Sequence, residues 1–206
     1  MKPPSSSPGA KRLDEPAIVS ATAGRLLPSA ASHVFWLFGL PSAGKSTLAN
    51  SLVDRLRQQG RGVLALDGDV LRAGLCHGLG FSDSDRTENL RRAAEVARLG
   101  ADSGLCVVAS FITPLNAHRR LIREIVGRDR LSLIFADAPL EVCRQRDVKG
   151  LYTRAQTGQL PQMTGGGSTF EQPEYTDLTL PTAGVSPEAS TQALLEFALA
   201  RLGCAP

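Results

Sequence analysis

The sequence predicts an α/β protein, a three-layer sandwich of helices around a parallel sheet. Two observations predict it. Short apolar runs recur at regular intervals, separated by stretches of helical period. They lack polar alternation, which is the composition of strands covered on both faces. The first run leads directly into Gly39-Leu40-Pro41-Ser42-Ala43-Gly44-Lys45-Ser46-Thr47. This fits the phosphate-loop pattern G-x-x-x-x-G-K-[ST] in the strand–loop–helix order the pattern requires. The class is therefore the P-loop nucleoside triphosphate hydrolase/kinase fold.

The elements follow in order. Val34–Phe38 is apolar throughout and long enough for one buried strand. In Lys45–Gln59, Leu48, Leu52 and Leu56 recur every four residues, one face of a helix. Val63–Leu66 is the second strand. Asp83–Ser103 is the longest helix, with Leu90, Ala94, Ala97 and Ala101 on one face and Arg91, Arg92, Glu95 and Arg98 elsewhere. Cys106–Phe111 and Leu131–Ala136 are the third and fourth strands, and Leu178–Leu180 is a weaker fifth. Helices over Asn116–Val126, Pro139–Arg146 and Pro187–Leu202 complete the alternation.

Composition bounds the rest. A chain of 206 residues suits one α/β domain, here 31–206. Residues 1–30 are rich in Pro and Ser, then mix charge with small residues, and no apolar stretch follows the early lysine. That is a flexible N-terminal extension, not a signal peptide. Net charge is +3 with 21% charged residues, so no strong basic field calls for nucleic acid. Cys76, Cys106, Cys143 and Cys204 are too widely spaced for a zinc or disulfide framework, which fits a cytoplasmic protein. No apolar run approaches the length of a membrane span. Gly150 to Gly167 is long and glycine-rich, and with its flanks forms a lid over about 147–173.

The phosphate loop dictates the first half of the chemistry. Glycine at 39 and 44 lets the backbone fold so that its N–H groups converge on phosphate oxygens, with the positive end of a helix behind them. Lys45 reaches the β- and γ-phosphates, and Ser46 holds Mg²⁺. In such a sheet the ligand lies at the carboxyl ends of the strands. There the chain places Asp67-Gly68-Asp69, Ser110-Phe111-Ile112-Thr113-Pro114 and Asp137-Ala138-Pro139. Asp69 is the best candidate to receive the proton of an acceptor hydroxyl. Asp67 is its rival, and can instead order water on Mg²⁺ or hold the Gly68 turn.

Arg72 follows Asp69 by three residues, and then comes Gly80-Phe81-Ser82-Asp83-Ser84-Asp85-Arg86-Thr87-Glu88-Asn89-Leu90-Arg91-Arg92. These segments join Leu66–Asp69, Ser110–Pro114, Asp137–Cys143 and Arg146-Asp147-Val148-Lys149-Gly150-Leu151-Tyr152 at nearly constant spacing. From about Val34 to Pro173 the chain thereby resembles the adenylyl-sulfate kinase family. The resemblance implies ATP- and Mg²⁺-dependent phosphorylation of the 3′-hydroxyl of adenosine 5′-phosphosulfate (APS). The products are 3′-phosphoadenosine 5′-phosphosulfate and ADP, and the enzyme is implied to be a homodimer.

Carried over by position, the resemblance makes Asp69 the catalytic carboxylate beside Lys45. Arg72, Arg86 and Asn89 hold the phosphosulfate substrate, and Phe81 stacks on its adenine. Thr113, preceded by Ile112, stands beside the transferred phosphate, and Lys149 belongs to the segment that closes over the nucleotides. Elementary chemistry agrees, since arginine forks suit clustered anionic oxygens and an aromatic ring suits a purine face. The chain departs from the family at Val70, Leu115-Asn116, Thr153, Gln156, Met163, Gly166-Gly167 and Phe170. Met163 replaces an aromatic that would sandwich the substrate base against Phe81. These departures are expected to cluster at the substrate base and the lid. Two alternatives stay open: a related kinase retuned for another nucleotide-like acceptor, as in polysaccharide tailoring, and a weakly catalytic nucleotide-binding regulatory domain.

Overall fold

The computed structural model describes residues 32–160 and 163–203. The N-terminal extension and Cys204 lie outside them. Five strands form one sheet in the order β2-β3-β1-β4-β5, every neighbouring pair parallel. They are β1 (Val34–Phe38), β2 (Val63–Asp67), β3 (Cys106–Ser110), β4 (Leu131–Asp137) and β5 (Leu178–Pro181). The helices are α1 (Lys45–Gln58), α2 (Gly68–Ala73), α3 (Asp83–Asp102), α4 (Asn116–Val126), α5 (Leu140–Arg146), α6 (Leu151–Gln156) and α7 (Pro187–Arg201). A single 3-10 turn, Arg128–Arg130, precedes β4.

The central strand explains the three layers. Side chains of β1 alternate between the two faces of the sheet. Phe35 and Leu37 join Leu48, Leu52 and Leu56 of α1 and Leu194 and Ala198 of α7 in one core. Val34, Trp36 and Phe38 join Leu90, Ala94 and Ala97 of α3 and Ile122 and Val126 of α4 in the other. All five β1 residues are fully buried, as an apolar run without alternation requires. Cys76, Cys106 and Cys143 are buried and in no disulfide among the described residues, small apolar fillers in these cores.

Two helices carry no signal in the apolar pattern. α2 and α6 have six residues each, too few for a 3.6-residue period to declare itself. Side chains build them instead. Asp67 caps α2 by accepting the Asp69 N–H at 2.9 Å. Asp147 accepts the N–H groups of Tyr152 and Thr153, each at 3.0 Å, at the start of α6. The segment expected to act as a lid is therefore partly helical, and Tyr152 is the buried residue of that helix.

Candidate active site

The loop from Gly39 to Gly44 joins β1 to α1 at the carboxyl edge of the sheet. At Gly39, φ is 149° and an added Cβ would sit 2.5 Å from the Ala136 carbonyl oxygen, so the loop passes against β4 only without a side chain. Gly44, at φ 87°, opens α1, and no side chain caps that helix. Its first-turn N–H groups are left for an anion.

The loop's carbonyls are tied outward, one after another. Leu40 O accepts from Lys45 Nζ at 2.7 Å. Pro41 O accepts from the Tyr152 hydroxyl at 3.1 Å, Ser42 O from Arg146 at 3.5 Å, and Ala43 O from the Thr182 hydroxyl at 2.9 Å. Four successive loop carbonyls are thus engaged by side chains. Ser42 itself is held at φ 61°. The Gly39 N–H donates to Ile112 O at 3.3 Å, which joins the loop to the end of β3.

Lys45 is buried. Burial pushes its ammonium down to about 8, and Lys149 adds to this while Asp67 and Asp69 resist. A cation so placed gains more from an arriving phosphate than one already in water. Ser46 Oγ lies 3.4 Å from Asp67 Oδ2, so two hard oxygens face the loop's anion site. No cluster of three or more His, Cys, Asp or Glu able to hold a metal occurs among the described residues. Mg²⁺ binds through one or two protein oxygens together with substrate phosphates, and Ser46 and Asp67 are the two oxygens that would serve it here. Asp67 is thus engaged as helix cap and Ser46 partner. Asp69, two residues on, is exposed, and its carboxylate is paired with Lys149 Nζ of the lid.

Opposite the loop lies a second group. Arg72 donates to the carbonyls of Leu79 and Gly80, at 3.3 and 2.9 Å, and its guanidinium sits 4.5 Å above the Phe81 ring. Arg86 donates to Phe81 O at 2.9 Å and to Thr164 Oγ1 at 3.1 Å, which links α3 to the lid. Burial pushes the Arg86 guanidinium down, and Arg72 does the same. Asn89 is 4% exposed, and its Oδ1 has no hydrogen-bond partner among the described residues. A buried amide oxygen without a partner costs about 1–3 kcal/mol, which a ligand donor in the cleft would remove.

Thr113 lies between the two halves. It is buried and has φ 45°, and among the described residues its hydroxyl donates to no protein group but accepts from Trp36 Nε1 at 2.9 Å. These groups line one cleft of about 870 Å³, with Lys45, Ser46, Thr47, Asp69, Lys149 and Met163 on its walls. That is near the top of the usual range for ligand pockets, roughly 300–1,000 Å³.

Most departures from the family pattern fall in the expected lid segment, 147–173, but few line the cleft. Among Val70, Asn116, Thr153, Gln156, Met163 and Phe170, Met163 alone lines this cleft. Asn116 works on the scaffold: it donates to Gln172 O at 3.0 Å, accepts from Arg119 at 2.6 Å, and receives the Glu174 N–H at 3.1 Å. Thr153 bonds the cap residue Asp147, and Phe170 stacks on Phe135 with centroids 6.0 Å apart. The motifs also gave no role to Tyr152, Arg146, Thr182 or Trp36, whose contacts are all long-range in sequence.

A phosphate loop facing a pocket of arginines, an amide and an aromatic ring has places for a donor nucleotide and for a second, anionic molecule. The protein is a P-loop kinase. Comparison with known proteins narrows the class: the family model described as adenylylsulphate kinase matches residues 31–181. The chain belongs to that family. An adenylyl-sulfate kinase of Enterobacter sp. (strain 638) is 50% identical over 147 residues, covering 71% of this chain and 73% of that protein. The bifunctional enzyme NodQ of Rhizobium sp. (strain N33) is 48% identical over 161 residues, 78% of this chain but 25% of NodQ. The APS kinase of Mycobacterium tuberculosis, solved with AMPPNP and APS, superposes with a TM-score of 0.78 at 38% identity. That match covers 82% of this chain and 98% of that one. No helix among the described residues is long and apolar enough to cross a membrane.

Proposed function

We propose that the protein transfers the γ-phosphoryl group of ATP to the 3′-hydroxyl of APS, giving 3′-phosphoadenosine 5′-phosphosulfate and ADP. The observation that carries this reading is the pocket opposite the phosphate loop. There Arg72, Arg86, the unpartnered Asn89 carbonyl and the Phe81 ring surround space for an anionic purine nucleotide.

Each residue then has a role. Loop N–H groups and Lys45 bind the donor's phosphates. Arg72 and Arg86 bind the phosphosulfate, Asn89 supplies a hydrogen-bond acceptor, and Phe81 and Met163 flank the base. Asp69 accepts the proton as the hydroxyl attacks. Lys149 pairs with Asp69; phosphate oxygens arriving beside the lid would compete for that ammonium and leave the carboxylate available to the hydroxyl. Ser46 and Asp67 hold Mg²⁺, which supplies charge neutralisation on the transferring group. A homodimer in the cytoplasm belongs to the same reading, and sedimentation of the purified protein tests the assembly.

The deciding assay is ADP release with APS beside a panel of nucleotide acceptors. APS should have the highest kcat/KM. Another nucleotide exceeding it tenfold would transfer the site to a different acceptor, and absence of turnover with every acceptor would leave nucleotide binding alone.

A further inference from the structure

We infer that Trp36 is a positioning residue for phosphoryl transfer, acting from inside the sheet by fixing the direction of the Thr113 hydroxyl. This rests on the proposed kinase reaction with Thr113 beside the transferred group, and the test below separates the two.

Trp36 is the chain's single tryptophan. It points from the middle of β1 into the core shared with α3 and α4, and it is fully buried. Its indole stacks on Phe111, with centroids 4.8 Å apart and planes 19° from parallel, so the ring cannot turn. The indole N–H donates to Thr113 Oγ1 at 2.9 Å. An indole nitrogen has a donor and no acceptor capacity. The threonine oxygen must therefore accept this bond, and its own proton must point elsewhere.

Among the described residues no protein group accepts that proton. The backbone of Thr113 is fixed as well. It sits at φ 45°, a region a β-branched residue rarely occupies, and Arg119 Nε holds its carbonyl at 3.3 Å. Arg119 is itself buried and reaches Pro114 O at 3.1 Å and Glu171 O at 2.7 Å. A hydroxyl pinned at its backbone and occupied on one lone pair is left as a donor on the wall of the cleft. Donors placed in advance where charge develops need no reorganisation during reaction. The other role open to this bond is to satisfy a buried indole N–H, which would affect stability and leave turnover alone.

A double-mutant cycle in kcat separates these roles. Trp36→Phe keeps a ring against Phe111 and removes the N–H. It should lower kcat about tenfold, the scale of one hydrogen bond to a charged group, with KM for ATP changed less than about twofold. In a Thr113→Val background the same change should cost less than about twofold, because the hydroxyl it aims is gone. Equal losses in both backgrounds, or wild-type kcat in Trp36→Phe, overturn the inference. Should Trp36→Phe fail to fold, emission of Trp36 itself decides. Mg²⁺, AMPPNP and APS together should shift it in the wild type and not in Thr113→Val; an equal shift in both, or none in the wild type, rejects the coupling. Thr113→Val with full kcat, alongside an inactive Asp69→Asn, would remove Thr113 from the chemistry while the kinase reaction stands. An active Asp69→Asn would instead count against the assignment of the base.

Discussion

Raising the pH from 7 to 9 should weaken nucleotide binding about tenfold through Lys45 alone. Burial lowers this ammonium from 10.5 to about 8. A single group titrating near 8 is about nine-tenths charged at pH 7 and about one-tenth charged at pH 9. A bound phosphate favours the charged form and raises that pKa, so binding at pH 9 must take up a proton. Calorimetry with Mg²⁺ and ADP at pH 7, 8 and 9, in two buffers of different ionisation heat, reads both affinity and proton uptake. Lys45→Arg stays charged throughout this range, so the difference between the two proteins removes the nucleotide's own titration. Folding stability moves the opposite way. From about 8 to 10.5 the unfolded chain holds the Lys45 proton that the native protein has released, so this group's contribution to stability rises with pH. A wild-type affinity that is flat from pH 7 to 9, or that falls in parallel with Lys45→Arg, would refute the argument.

Three further outcomes are open to measurement. Asp69→Asn should leave nucleotide affinity intact while kcat falls about 10²-fold or more, the scale of a general acid–base group; Asp67→Asn should instead raise the Mg²⁺ requirement, and if it alone loses kcat the base has been assigned to the wrong carboxylate. Met163→Phe should lower KM for APS about fivefold, the worth of about 1 kcal/mol of stacking against the substrate base; an unchanged KM would mean the base does not reach this wall. His33 is buried and pushed down to about 4, by burial first and Arg201 second. The unfolded chain therefore protonates it from about 6.5 downward while the native protein does not, and stability falls as the pH drops. Urea unfolding at pH 7 and pH 5 should differ by about 2 kcal/mol through this group, and His33→Gln should lose that component.

The sheet and the phosphate site were legible because they rest on local rules. An all-apolar β1 declares burial on both faces, and Gly39, Gly44 and Lys45 have spacing that only one backbone path satisfies. The strands and long helices accordingly fall within about two residues of their expected ends, the usual ambiguity of helix and strand termini. The short helices did not declare themselves, because Asp67 and Asp147 make them by capping and not by an apolar period. The roles of the departures were illegible for a different reason. Asn116 follows directly on the strand-end segment and reads as a site residue by position, yet all its side-chain bonds go to Arg119 and to residues 172–174. Distance along the chain to the motif was a poor guide to distance from the cleft.

The phosphate loop makes the same point from the other side. Its motif names the residues that touch phosphate and is silent about what keeps their N–H groups aimed. In this protein Tyr152 of the lid helix, Arg146 of α5 and Thr182 beyond β5 each hold one loop carbonyl. Each lies more than a hundred residues from its partner in sequence, so no local pattern could announce it. The Tyr152 tether also joins this segment to the phosphate loop, while Arg86 joins it to α3 through Thr164. Lys149 adds the third connection, to Asp69. A lid bonded at once to the donor loop, the acceptor pocket and the carboxylate cannot move for one of them without disturbing the other two. Under the proposed reaction, closure over both substrates and release of Asp69 from Lys149 would be coupled through this one segment.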